Sequence, residues 1–315
     1  MYIGLDIGGT KCAAVVGSLD GEVKIIDKIS FPTAGKTPDE ILSLFSDFIA
    51  KNKEIFQIDG IGIACGGPLD SKAGIIKKPP SLPLWDNIEI VRYFEEKFGI
   101  KTYLKNDADA CAVAEWKFGA GKGCENMIFI TFGTGFGSGL ILNGRLYSGT
   151  NDNAGEIGHV RLRKSGPVGY NKAGSCEGFC SGSGIRRLAL LELEKCRKKG
   201  VTPKLLESVG GEENITAKTL AEQARLGDPF AKRIYKISGK MLGETLSILI
   251  DLFNPQKIVI GGVFMRSGDL LYPHAEKIIK KESLIYSQNV VEVVPAKLSE
   301  NIGDVSALAV ATGDL

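Results

Sequence analysis

Ile3-Gly4-Leu5-Asp6-Ile7-Gly8-Gly9-Thr10-Lys11 opens the chain, and about 125 residues later Ile128-Phe129-Ile130-Thr131-Phe132-Gly133-Thr134-Gly135-Phe136-Gly137-Ser138-Gly139 repeats its plan. Each copy has an apolar strand, a tight glycine turn carrying a hydroxyl residue, and a second apolar strand (Ala13 to Val16; Leu140 to Leu142). Glycine lets a backbone approach phosphate oxygens, and the turn's N–H groups, with Thr10 or Thr134, can donate to them. One such turn is weak evidence, because hairpins need glycine for geometry alone. Two of them, each flanked by strands and each bearing threonine, suit a phosphoryl donor held in a cleft between two related halves. A dinucleotide site of the Rossmann type is disfavoured: the run Gly133 to Gly139 leads into another strand, Leu140-Ile141-Leu142, where that site needs a helix start.

Working outward, the 315 residues suffice for two domains and a substantial core. A hydrophobic fraction of 43% and a charged fraction of 24% are those of an ordinary soluble globular protein. The formal charge of +2 gives no global basic field for a nucleic-acid partner. The basic cluster Lys195, Arg197, Lys198 and Lys199 closes a helix before Gly200, where it meets the helix C-terminus and solvent. Seven cysteines, an odd number in apolar or small-residue surroundings, point to reduced core thiols and a cytoplasmic protein. Nothing at the start reads as a signal peptide, because Asp6 interrupts the first apolar run, and no apolar stretch is long enough to span a bilayer.

Strand and helix signals alternate, so the class is α/β. Thr37-Pro38-Asp39-Glu40 reads as a capping box with proline at the first helical position. This disposes of Gly35-Lys36-Thr37 as the end of a nucleotide P-loop: Ser30 stands where that loop needs its first glycine. Ile61 to Ala64 is a buried strand entering the turn Cys65-Gly66-Gly67-Pro68; Ile88 to Phe98 is a helix stopped by Gly99. Asn106-Asp107 ends a strand and opens a helix running to Phe118. A carboxylate at that place either caps the helix or is an ion held near neutrality by the helix N-terminus. Gly119 to Gly123 is the expected hinge. Asp228-Pro229 starts a long helix in which Gly239 and Gly243 permit close packing, and Lys257 to Ile260 is a strand delivering Gly261-Gly262. The last helix, Val305 to Thr312, is small and apolar enough to return to the first domain. The expected domains are 1–118 plus 302–315, and 119–301.

Asp6-Ile7-Gly8-Gly9-Thr10-Lys11, Asn106-Asp107, Glu156-Ile157-Gly158-His159 and Gly261-Gly262, in this order, resemble the ROK family of sugar kinases and sugar-responsive repressors. The resemblance runs the whole length. It implies the two-domain ribonuclease-H-like, actin and hexokinase type of ATPase fold, with a sugar cleft between the domains. It implies that Asp107 is the catalytic base that accepts the proton of the attacking sugar hydroxyl, with Asn106 orienting neighbouring hydroxyls. Glu156 and His159 then bind sugar hydroxyls, Glu177 reaches the anomeric end, and Gly67, within Gly66-Gly67-Pro68, lines the other side of the sugar. Asp6, Gly8, Gly9, Thr10 and Lys11 of the first turn, and Thr131, Gly133, Thr134 and Gly135 of the second, hold ATP. Asp6 orders magnesium through water, and Gly261-Gly262 borders the adenosine. ATP and Mg2+ are the implied cofactors, and a homodimer the implied assembly.

Two departures from the family pattern stand out. Asp109 occupies a place where the family usually shows asparagine. Between Pro167 and Glu177, many relatives carry a Cys-x-Cys-Gly-x-x-Gly-Cys run that binds structural zinc together with the motif histidine. Here Val168, Tyr170 and Ser175 stand at the three cysteine positions. Zinc needs about four ligands, thiolate or imidazole preferred, so no zinc is expected, although Cys176 and Cys180 lie nearby. His159 is then expected to be oriented by hydrogen bonds within its loop. The resulting reading is an ATP-dependent hexose kinase acting on the 6-hydroxyl, glucose leading. N-acetylglucosamine, N-acetylmannosamine, allose and fructose remain open acceptors. The non-enzyme alternative is a sugar-responsive regulator. Such members carry a winged helix-turn-helix ahead of the kinase-like part, for which the first turn, within ten residues of Met1, leaves no room. A third reading, an actin- or chaperone-like ATPase, has no need of Glu156, His159 and Glu177.

Overall fold

The computed structural model describes residues 1–315, apart from the side chain of Glu300. Strand β1 (Tyr2–Ile7) turns at Gly8 and returns antiparallel as β2 (Lys11–Ser18), and β3 (Lys24–Pro32) continues the run. Helix α1 (Pro38–Ile55) then carries the chain to β4 (Gly60–Cys65), and α2 (Ile90–Phe98) to β5 (Thr102–Asn106). Parallel neighbours need such crossovers. Both new strands are parallel to β1, and the sheet order is β3-β2-β1-β4-β5.

Helix α1 starts as its sequence demands: the Glu40 N–H donates to the Thr37 hydroxyl, and the Thr37 N–H to the Glu40 carboxylate at 2.7 Å. Its Ile41, Phe45 and Ile49 join Ile3, Leu5, Ile63, Trp85 and Phe94 in one buried core. Helix α2 begins at Ile90, two residues later than the apolar run suggests, because Ile88 is held in a β-bridge with Ile76.

After α3 (Asp107–Phe118) the plan repeats. Strands β6 (Met127–Phe132) and β7 (Phe136–Leu142) form the second hairpin, and β8 (Arg145–Leu146) pairs antiparallel with β7. The longer helices and one short one that follow or interleave include α4 (Cys176–Cys180), α5 (Gly182–Arg197), α6 (Ala217–Arg225), α7 (Pro229–Phe253) and α8 (Val263–Glu282). Between α7 and α8 lies β9 (Lys257–Ile260), parallel to β6 and to β10 (Glu292–Pro295), giving the order β8-β7-β6-β9-β10. The last helix is α9 (Ile302–Val310). Packing divides the chain into a first unit of residues 1–125, 139–154 and 297–315 and a second of residues 126–138 and 155–296.

Glycine sets the close approaches in both units. In the first, α9 lies against β1 and β4: a Cβ on Gly62 would collide with the Ala307 carbonyl, and one on Gly60 with that of Ala311. Ala307 and Ala311, one turn apart, match this flat track. In the second, Gly239 and Gly243 bring α7 against α8; a Cβ on Gly243 would sit 2.6 Å from the Ala275 carbonyl oxygen. No helix among the described residues is long and apolar enough to cross a membrane.

Candidate active site

In the first unit the register places Ile7, Cys65 and Asn106 side by side at the C-terminal ends of β1, β4 and β5. The Gly8-Gly9 turn, the Gly66-Gly67-Pro68 turn and the start of α3 therefore open at one sheet edge, where open α/β sheets take ligands. Asn106 caps α3, its side-chain oxygen accepting from the Ala108 N–H at 2.9 Å; Asp107 accepts from the same N–H at 2.8 Å. A Cβ on Gly67 would come within 3.3 Å of the Asn106 amide, and one on Gly66 within 3.8 Å of the Asp107 carboxylate. Glycine thus keeps open the space these side chains face. On the first turn, Thr33 donates to the Gly8 carbonyl at 2.6 Å, and the Gly8 N–H to that of Lys11 at 3.1 Å.

Carboxylates crowd this edge. Burial, then the neighbouring charges of Asp107 and Asp304, push Asp6 up to about 6 against the pull of Lys11 and Lys28. Asp304, on α9, is itself paired with Lys28. Asp107 keeps solvent-accessible surface but is crowded by protein, and burial raises its pKa against the backbone N–H groups that lower it. Desolvation thus acts against the helix N-terminus, which was expected to keep this carboxylate ionised near neutrality. Asp6 fits magnesium on its chemistry. It is a hard oxygen donor under excess negative charge, and that ion binds through one or two carboxylates plus water and phosphate.

The second unit holds the other expected residues. The turn between β6 and β7 closes with a Gly133 N–H to Gly135 carbonyl bond of 3.0 Å. Helix α5 begins against it: Gly182 donates its N–H to the Gly133 carbonyl at 2.8 Å, and the Ser183 hydroxyl donates to the Thr134 carbonyl at 2.6 Å. Among the described residues, the N–H groups of Thr134 and Gly135 have no protein acceptor, as an anion-binding turn requires. Beside the turn lies a cavity of about 650 Å³ lined by Gly133, Thr134, Arg186, Lys218, Glu222 and Arg225 among others. Thr131 is the fifth residue of β6, two before Gly133. Gly262 caps α8 with φ +66°, and its missing Cβ leaves room for the Phe132 carbonyl.

Glu177, on α4, accepts from the Phe136 N–H at 3.2 Å, and a Cβ on Gly135 would come within 3.0 Å of it. Gly158 packs on the Phe136 carbonyl with the Glu177 stem 3.5 Å from where its Cβ would be. The Glu156-Ile157-Gly158-His159 turn is therefore seated on the second hairpin, with Glu156 and His159 exposed. The ring of His159 stands edge-on to Tyr170, centroids 5.8 Å apart. A ring contact, where a hydrogen bond within the loop was expected, thus accompanies the histidine, and it comes from one of the three family cysteine positions. Cys176 and Cys180 are buried: Cys176 meets the Thr245 hydroxyl at 3.0 Å and Cys180 donates to the Ser238 carbonyl at 3.7 Å. Among the described residues no group of three or more His, Cys, Asp or Glu side chains could hold a metal ion.

The match to the family model described as "ROK family" extends over residues 2–313. The chain belongs to the ROK family. It is 30% identical over 311 residues to a glucokinase of Thermotoga maritima, covering 98% of this chain and 96% of that one. It is 28% identical over 291 residues to the transcriptional dual regulator NagC of Escherichia coli, covering 90% of this chain and 69% of that protein. Among solved structures, a ROK glucokinase from Streptomyces griseus in complex with glucose and AMPPNP superposes with a TM-score of 0.78 at 29% identity, covering 99% of both chains. The actin- and hexokinase-like ATPase fold expected of a ROK protein is the fold observed.

Sequence reasoning missed Lys28 and Asp304, which meet across 276 positions of the chain with no local signal. It also missed the cavity's Arg186, Lys218, Glu222 and Arg225. Ser181-Gly182-Ser183-Gly184 did carry a signal: Ser181 caps α5, accepting from the Gly184 N–H at 2.8 Å, and an N-cap run of small residues suits a helix that must abut a turn.

Proposed function

We propose that this ROK protein is an ATP-dependent hexose kinase acting on the sugar's 6-hydroxyl, with glucose the leading acceptor. The observation that carries the reading is the common sheet edge of the first unit. There Asp6, the Gly8-Gly9 turn, the Gly66-Gly67 turn and Asn106-Asp107 open together. The glucokinase relatives support it.

In this reading Asp107 accepts the proton as the hydroxyl oxygen bonds to the γ-phosphorus and the bond to the departing ADP breaks. Its upward shift suits a base working near neutrality. Asn106 holds the adjacent hydroxyls, Glu156, His159 and Glu177 the remaining ones, and Gly67 leaves room for the ring. Gly8, Gly9, Thr10, Lys11, Thr131, Gly133, Thr134 and Gly135 take the phosphates, and Gly261-Gly262 borders the nucleoside. Magnesium, held at Asp6 through water, supplies charge neutralisation on the phosphates. The domains are proposed as expected from sequence, 1–118 with 302–315 and 119–301, although residues 119–125, 139–154 and 297–301 pack within the first unit, and the working assembly is proposed as a homodimer.

The NagC likeness gives the second reading, a sugar-responsive regulator that binds the sugar without phosphorylating it. A panel of glucose, N-acetylglucosamine, N-acetylmannosamine, allose and fructose in a coupled ATP-consumption assay separates the two. Hexose-dependent ADP release above the basal rate supports the kinase. Sugar binding by calorimetry with no ADP release for any acceptor means the regulator.

A further inference from the structure

Asp109 is a buried carboxylate that the proposed chemistry leaves unused. It lies in the first turn of α3, two residues beyond Asp107, and is 3% exposed. The Ser148 hydroxyl donates to it at 2.7 Å, and among the described residues no ion pair engages it. Ser148 belongs to the segment that runs from β8 toward Glu156. The same segment carries Asp152, held at φ +59°, which accepts from the Ser71 N–H at 2.8 Å and the Ser71 hydroxyl at 2.6 Å. Lys105, next to Asn106, completes the set by donating to the Ser71 hydroxyl at 3.4 Å.

This network joins three pieces of the first unit that each lead to an acceptor-binding element. Ser71 follows the Gly66-Gly67-Pro68 turn, Lys105 precedes Asn106-Asp107, and Ser148 and Asp152 precede Glu156. An asparagine in place of Asp109 offers Ser148 an oxygen of the same shape. The carboxylate adds charge, which makes the bond shorter and stronger while ionised and removes that gain when protonated. We propose that Asp109 is a positioning residue for the sugar acceptor, holding Ser148 and through it the segment that delivers Glu156 and His159.

The consequence is a sugar affinity that depends on pH. Burial pushes Asp109 up to about 6; Ser148 and Lys105 pull it down, and Asp152 and Asp107 push it up. The other elements packed on α3 present Asp304 of α9, which is paired with Lys28, the exposed Arg145 of β8, and Cys65 of β4, whose thiol stays protonated. Between about pH 7.5 and 5.5 the ionised fraction of such a group falls about fourfold, and the affinity held by the ionised form falls with it.

The inference rests on the hexose-kinase reading, and the test separates the two failures. Glucose binding to the whole chain is measured by calorimetry without nucleotide at both pH values, for the unaltered protein, Asp109→Asn and Ser148→Ala. The unaltered protein should weaken about fourfold on acidification. Asp109→Asn, which lacks the charge, should bind at both pH values at least about fourfold more weakly than the unaltered protein does at pH 7.5 and lose the step, and kcat at saturating sugar should stay within about twofold. Ser148→Ala should bind at both pH values as the unaltered protein does at pH 5.5. An Asp109→Asn variant that keeps the same pH step, or a Ser148→Ala variant that binds normally at pH 7.5, overturns the assignment of Asp109. An unaltered protein that binds none of the five sugars of the panel overturns the kinase reading itself.

Discussion

The first glycine turn, between Ile7 and Lys11, sits among the carboxylates Asp6, Asp107 and Asp304. The second, between Phe132 and Phe136, is anchored by the start of α5 and borders a cavity carrying Arg186, Lys218 and Arg225. The strand plan is the same in both units: a hairpin followed by two parallel strands. What differs is the charge that the surrounding helices bring. In the first unit α3 and α9 contribute acids; in the second α5 and α6 contribute mainly bases, with Glu222 among them. A backbone turn binds phosphate through N–H groups whatever its sequence neighbours, so the division of labour between the turns lies in those helices. In the proposed reaction the acidic edge handles the proton and the metal, and the basic cavity the body of the donor.

The largest effect expected from breaking this comparison is at the acidic edge. Asp107→Asn should lower kcat by about a hundred- to ten-thousand-fold while sugar binding persists, as loss of a general base does. Near-normal turnover in the coupled assay makes Asp107 a helix-cap residue and moves the base elsewhere. At the second turn, Thr134→Val or Gly135→Ala should weaken ATP by about tenfold and glucose much less, since the hydroxyl donor or the backbone approach is lost. Because a Cβ on Gly135 also meets Glu177 at 3.0 Å, Thr134→Val is the cleaner of the two. A selective loss of glucose affinity for Thr134→Val reverses the assignment of the turns.

A smaller effect sharpens the charge contrast. The pKa of Asp6 in the folded protein, about 6, exceeds the ordinary 3.8, so the native state holds the proton more tightly than the unfolded chain. Stability from that proton is present at low pH and is lost as pH rises from about 4 to about 6; above this, the ionised carboxylate carries a net cost. Asp6→Asn should therefore raise Tm by a few degrees near pH 8 in magnesium-free buffer and change it little near pH 4. A lower Tm at pH 8 means that Asp6 is a structural acceptor rather than a crowded ion. Smallest of all, Tyr170→Ala should raise KM for glucose by about two- to fivefold with kcat retained, because the ring beside His159 is worth about 0.5–1 kcal/mol. Elemental analysis of the same preparations should find far less than stoichiometric zinc. About one zinc per chain, with melting on chelation, brings Cys176 and Cys180 in as ligands.

Much of this was legible in the sequence because its causes are local. The capping box Thr37–Glu40, the N-cap Asp228, the αL stop at Gly99 and both hairpins follow from residues within a turn of one another. The later start of α2 was not legible, since Ile88 is claimed by a bridge to Ile76. Nor was the ring contact at His159, because Tyr170 reaches it from a loop with its own positive φ.

The α/β class, the pairing of two glycine turns with strands, and the order of the motif residues are written in the chain, because periodicity, capping and turn chemistry act over a few residues. The tertiary structure alone decided which charges meet. Lys28 finds Asp304, Ser71 finds Asp152 and Ser148 finds Asp109 across 276, 81 and 39 positions. The pKa values of Asp6 and Asp109 follow from that meeting and from burial. Both are properties of the packed unit, in which through-space distance and desolvation, not sequence spacing, set the energy of a charge.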